Sequence, residues 1–244
     1  MSTKFDRGQQ ELLCLQAVKK YISTAHPIHW FLDDARPNEN LSDFPDFIFE
    51  RGFIEHFQVT SAKETSRGDK HRISEAQFEK ESQEEFGKNQ KEFLRSTPNP
   101  GTFSTKVLEM VSPEYSYKNF VDSFKRNFEH HIRSLDNYDG DKSIGIFLLE
   151  YTGAPITVVP QSNSFRCYKI AYDKDLLSYL FRFREKLKYL ICFWGDTQGD
   201  LNGEMSCEIV EMSRVPNLLK NVPQDISFGV GRYRNLRLNL FIDL

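Results

Sequence analysis

The residues with the clearest chemical potential lie in one stretch, Phe44 to Lys63, FPDFIFERGFIEHFQVTSAK. Asp46 follows a proline at the start of one β-rich run, and Glu55 sits in the next. The runs DFIFE and FIEHFQVT meet at Arg51-Gly52, where glycine accepts the positive φ that a tight hairpin connection requires. The chemistry in question is whether these two carboxylates, hard oxygen donors, hold a metal ion.

Other chemistry-bearing residues are set less favourably. His56, beside Glu55, has the chemistry of a general base or ligand, but a strand histidine among aromatics is more often a packed, hydrogen-bonded side chain. His130 and His131 are adjacent on a helix and point about 100° apart, whereas chelation needs i and i+4. They read as surface or boundary residues. No G-x-S-x-G nucleophile elbow occurs, and no cysteine sits in an electropositive setting. FGVGRYRN at 228–235 lacks the full phosphate-loop pattern and reads as a turn that groups Arg232, Tyr233 and Arg234.

The elements that would position the hairpin are legible in outline. Leu12, Leu15, Val18 and Ile22 recur at helical spacing and predict a helix over about 7–22. HPIHWFLDD reads as a short strand bounded by Pro27 and an acidic turn. After the hairpin, residues from 61 to about 95 mix charges of both signs and predict a loop running into a largely solvated helix. STPNPG is a turn-rich break. Phe120, Phe124, Phe128 and Ile132 fall four apart and predict a strongly amphipathic helix over about 117–135. SIGIFLLEY reads as a buried strand, DLLSYLFRFREKLKYL as a helix and YLICFW as another buried strand. Beyond Gly195, MSCEIVEMS suggests an edge strand, VPNLLKNVP is irregular and LRLNLFIDL alternates as a terminal strand. The expected class is α/β, a mixed β-sheet flanked by helices, in a single domain over 1–244 with a core of about 7–194, the charged insertion at about 61–95 and a C-terminal β extension over about 195–244.

Composition agrees with a folded chain. Of 244 residues, 39% are hydrophobic and 21 are Phe, too much core-forming material for disorder. Lys and Arg total 32 against 35 Asp and Glu, a formal charge of -3. That balance counts against a protein that coats nucleic acid, but not against an enzyme with a local basic cleft. Cys14, Cys167, Cys192 and Cys207 form no CxxC pair, which argues against the usual zinc sites and a disulfide framework. No apolar signal region and no run long enough to span a membrane occurs, so a cytoplasmic protein is expected.

Pro45-Asp46-Phe47, the short hairpin and Glu55-His56-Phe57 together resemble a diverged copy of the PD-(D/E)xK motif of the restriction-endonuclease-like nucleases. The element order helix, strand, hairpin, helix, strand extends that resemblance from Arg7 to about Tyr151. It implies a nuclease of restriction or defence type, with Mg2+ or Mn2+ held by Asp46 and Glu55, and with Glu11 on the first helix as a third carboxylate. The family places a lysine two residues beyond the glutamate to position or activate water. Here that residue is Phe57, which shares a face with Glu55 and Val59, while His56, Gln58 and Thr60 lie on the other. A bulge would bring Gln58 onto the Glu55 face as the catalytic substitute, and Lys63 or Lys70 could reach in from the following segment. Lys63, Arg67, Lys70 and Arg72 form a basic cluster where the backbone of a nucleic acid would run, with DNA favoured over RNA. A homodimer follows by analogy alone. The alternative is a nuclease fold without catalysis, an inhibitor or immunity-like protein that recognises a protein or nucleic-acid partner. A third is an unrelated α/β fold in which the hairpin is purely structural.

Overall fold

The first helix, α1 (Gln9–Tyr21), begins at Gly8, whose φ of 100° is open to glycine, and buries Cys14, Leu15 and Val18 along one stripe. Glu11 in its first turn and Lys19 and Lys20 in its last complement the helix dipole. In this computed structural model, residues 8–22, 26–39, 43–62, 69–96, 101–110, 116–151, 154–159, 164–194, 207–222 and 228–240 are described.

The segment expected as a short strand is instead α2 (Pro27–Asp34). Proline serves here as a helix starter: its fixed φ suits the first helical turn, and its missing N–H would be unpaired there anyway. His26 caps the turn by accepting the Ile28 N–H on Nδ1 at 3.2 Å, and Ile28 and Leu32 bury one face. Ile28 and Leu32 thus form an i, i+4 stripe, while Trp30 faces solvent.

Three antiparallel strands follow: β1 (Arg36–Pro37), β2 (Phe47–Phe49) and β3 (Gly52–Gln58). Next come α3 (Asp69–Ser96), β4 (Gly101–Met110) and α4 (Tyr117–Asn137), and then β5 (Ile144–Tyr151), which pairs parallel with β3. The remaining elements are β6 (Ala154–Val159), β7 (Ser164–Cys167), α5 (Lys174–Phe181), β8 (Tyr189–Trp194), β9 (Cys207–Glu211), α6 (Val215–Leu218) and β10 (Phe228–Leu240). A six-stranded mixed sheet runs in the order β1-β2-β3-β5-β8-β9, and a four-stranded sheet in the order β4-β10-β6-β7.

The six-stranded sheet separates two cores. On one face Ile54, Ile146, Leu148 and Ile191 pack with Leu15 and Val18 of α1 and Ile28 and Leu32 of α2. On the other, Phe53, Phe57, Phe147 and Leu149 meet Phe120, Phe124, Phe128 and Ile132 of α4 and Leu176, Leu177 and Leu180 of α5. Strands β5 and β8, paired on both sides and covered on both faces, are buried along their length, which is why they read as continuous apolar runs. Ser116 caps α4 by accepting the Asn119 N–H, and Asp173 caps α5 through the Leu176 N–H.

Three further expectations change. The helix after residue 173 ends at Phe181, sooner than its apolar pattern suggested. VPNLLKNVP contains the short helix α6. FGVGRYRN is no turn: it forms the first half of β10, which pairs with β6 from Phe228 to Gly231 and with β4 from Gly231 to Leu240. Partners on either side override the local preference of Gly229 and Gly231 for turns. The charged stretch forms α3 as expected, and the strand that follows it, β4, joins the C-terminal strand in the second sheet.

Candidate metal and polar centre

Strand β3 carries alternating side chains to opposite faces of the sheet, and both faces are polar toward its C-terminal end. On the α4 face, Glu55 is buried, and its Oε2 accepts the Asp46 N–H at 3.0 Å. Asp46 returns the contact along the hairpin, its Oδ2 accepting the His56 N–H at 2.7 Å. The two residues expected to converge therefore do, each fixed by the other's arm. Burial pushes the Asp46 carboxyl from 3.8 up to about 7, the charge of Glu55 adds to this, and the His56 N–H and ring oppose it. The charge of Glu11 on α1 raises Asp46 slightly further.

Phe57, at the position where the resemblance would put a lysine, is buried against Phe128 and Phe147. Strand β3 keeps unbroken register with β5 from Gly52 to Gln58, with no bulge to rotate Gln58 onto the Glu55 face. His131 of α4 lies flat on the Phe57 ring, with centroids 5.0 Å apart and planes 20° apart, and its Nδ1 meets Glu55 Oε1 at 2.6 Å. Sequence reasoning set His131 with His130 at the surface. His130 is exposed, but a helical turn of about 100° carries its neighbour inward to Glu55.

On the α1 face a second polar group forms. His56 Nε2 lies 2.9 Å from Glu150 Oε2, and the same oxygen accepts from the Gln58 amide at 3.0 Å. Glu150 Oε1 accepts from the Gln10 amide of α1 at 2.9 Å. Cys14, one helical turn from Gln10, completes the cluster: one ligand atom from each of Cys14, His56 and Glu150 lies within 4.8 Å of the others. Burial, followed by the charge of Glu150, pushes the Cys14 thiol well above its ordinary value. Glu150 is fully buried at the end of an apolar strand. Its signal in the sequence was a single charge in the otherwise apolar run IGIFLLEY, since a buried carboxylate needs partners.

Gln58 is exposed but turned to Glu150, with its backbone carbonyl accepting from Asn127 of α4. Of the basic cluster, Lys63 and Arg67 lie outside the described residues, while Lys70 and Arg72 fall in the first turn of α3, described for its backbone alone. Arg232, Tyr233 and Arg234 lie within β10, opposite Glu109, Leu108 and Val107 of β4.

No family model, curated protein or solved structure matches the chain. What the centre does has to be argued from its own geometry. Among the described residues, no helix is long and apolar enough to cross a membrane.

Proposed function

We propose that this chain is a divalent-metal-dependent nuclease of restriction or defence type, hydrolysing phosphodiester bonds with DNA favoured over RNA. The observation that carries the reading is the pairing of Asp46 and Glu55 across the hairpin, each carboxylate accepting a backbone N–H from the other's arm, with the charge of Glu11 on α1 felt at Asp46. The charge of Glu55 opposes ionisation of the buried Asp46, and a shared cation would relieve that repulsion. The antiparallel strands β1, β2 and β3, followed after α4 by β5 parallel to β3, support the same reading, although α2 precedes β1 and α3 and β4 intervene before α4.

The donor set suits Mg2+ or Mn2+. Among the described residues no hydrogen bond reaches Asp46 Oδ1 or Glu11 Oε1, and carboxylate oxygens are the hard donors such a cation takes. A hard cation bound there would neutralise the charge that builds on phosphorus as a phosphodiester is attacked. The chain's own contribution is positional. Asp46 N–H and His131 hold Glu55 from two sides, and the Phe57 ring sets the plane of the His131 imidazole. Gln58 gives its amide to Glu150 on the far face, so His131 is the group better placed to take or give a proton beside Glu55.

Phe57 favours one alternative, a nuclease fold that binds a partner without cutting, because it puts an apolar ring where the family keeps a cation. Cleavage of double-stranded DNA, single-stranded DNA and RNA with Mg2+ or Mn2+ against EDTA decides between the two. Metal-dependent cutting by the wild type, lost in Asp46→Asn and Glu55→Gln and reduced at least about 100-fold in His131→Ala, is expected. Absence of metal-dependent cutting, or cutting that survives both carboxylate substitutions, refutes the nuclease and leaves the binding protein.

A further inference from the structure

We propose that Cys14, His56 and Glu150 form a second metal site, selective for Zn2+ and chemically similar transition metals and distinct from the Asp46 and Glu55 carboxylates. The inference does not rest on nuclease activity. Three segments far apart in sequence bring a thiol, an imidazole and a carboxylate to one point, all three side chains buried and one ligand atom of each within 4.8 Å of the others. The placement follows from the fold: His56 and Glu150 share a face of adjacent parallel strands, offset by two residues in register, and α1 lies across that face with Cys14 turned inward.

The donor chemistry selects the metal. Thiolate sulfur with imidazole nitrogen suits Zn2+, Co2+ or Fe2+, whereas Mg2+ and Ca2+ prefer oxygen alone. The geometry is close to what such an ion needs. His56 Nε2 and Glu150 Oε2 are 2.9 Å apart, the separation of two donors each about 2.0–2.1 Å from one ion at nearly a right angle. Opening that distance by roughly 0.5 Å reaches the edge of a tetrahedron. Charge also balances: one divalent cation neutralises a thiolate and a carboxylate, with the imidazole neutral, so a buried centre carries no net charge.

The surroundings are those of an oriented ligand set. Gln10 and Gln58 donate to the two oxygens of Glu150, and Asp46 Oδ2 fixes the His56 backbone N–H. Three protein ligands leave a further position on the ion for water or an external ligand, the arrangement of exchange-capable zinc sites. Gln10 is partly exposed and Gln58 exposed, so this end of the cluster lies close to solvent.

Cobalt substitution tests the site without turnover. The full chain, stripped of metal by a chelator, is titrated with Co2+ and followed by absorption. One equivalent is expected to produce a near-ultraviolet thiolate-to-cobalt charge-transfer band with visible d–d bands, discharged by Zn2+ and not by excess Mg2+. Cys14→Ser, matched to wild type in circular dichroism, is expected to lose the charge-transfer band. Cys207→Ser is expected to keep it. Gln10→Ala, which removes a support and no ligand, is expected to keep the band while weakening Co2+ binding about tenfold. No charge-transfer band in the wild type, or one that persists in Cys14→Ser, overturns the proposal and leaves a buried hydrogen-bonded network.

Discussion

Replacing Asp46 with Asn is expected to make the metal-free protein more stable at alkaline pH, although the residue belongs to the candidate active site. In the folded chain burial and the charge of Glu55 raise the Asp46 carboxyl from 3.8 to about 7. The fold thus binds this proton more tightly than the unfolded chain does. The corresponding stability is fully present below about pH 4, where both states carry the proton, and is lost as pH rises toward about 7. At about 1.4 kcal/mol per unit, a shift of roughly three units sets a ceiling near 4 kcal/mol. Partial exposure of Asp46 and sharing of the proton with Glu55 bring the expected effect to about 1–3 kcal/mol. Asparagine still accepts the His56 N–H through its amide oxygen but carries no charge. Thermal unfolding in EDTA should show Asp46→Asn melting several degrees above wild type at about pH 8, since 1 kcal/mol is roughly 2–4 °C for a chain of this size, and alongside it at about pH 4. Adding Mg2+ at about pH 8 should raise the wild type and not the variant, closing the gap. A variant less stable than wild type at alkaline pH, or offset equally at both pH values, refutes the argument that burial and the charge of Glu55 hold the Asp46 proton in the folded chain.

Other outcomes follow from the packing around the centre. A Cβ at Gly52 would lie 2.0 Å from the Ile144 carbonyl oxygen, so Gly52→Ala must force β3 from β5 and should sharply lower soluble yield and melting temperature; Gly87→Ala, with open space in α3, should raise stability by about 1 kcal/mol. Phe128→Ala empties a position between Phe57, Phe124 and Phe147 and should cost about 3–5 kcal/mol in urea unfolding. Tyr168→Phe removes one of two tyrosine hydroxyls that donate to the buried Asp173 carboxylate, and should cost about 1–3 kcal/mol.

The elements that were legible in the sequence are those whose burial follows from a local period. Helix α4 announced itself through phenylalanines four apart, and β5 and β8 through apolar runs that only strands covered on both faces tolerate. Helix α2 was misread because Pro27 begins it instead of bounding a strand, and β10 because two glycines look like a turn until strands on either side hold them. The site divides in the same way. Asp46 and Glu55 share a hairpin, so their meeting is a local event that spacing can forecast. Glu150, Cys14 and His131 reach the centre from β5, α1 and α4, and no local pattern carries that convergence. Phe57 shows the limit from the other side: its mismatch with the motif was plain, but the imidazole stacked on it comes from 74 positions along the chain and belongs to the fold.

Strand β3 serves as a party wall between two chambers, with Glu55 and Phe57 opening into one and His56 and Gln58 into the other. Adjacent side chains of the strand never share a side, and Asp46 alone bridges the two chambers, meeting Glu55 through its N–H and the His56 N–H through its carboxylate. Inserting or deleting one residue would exchange the contents of both at once, sending His56 toward α4 and Glu55 toward Cys14. The wall thus forbids any change in its length.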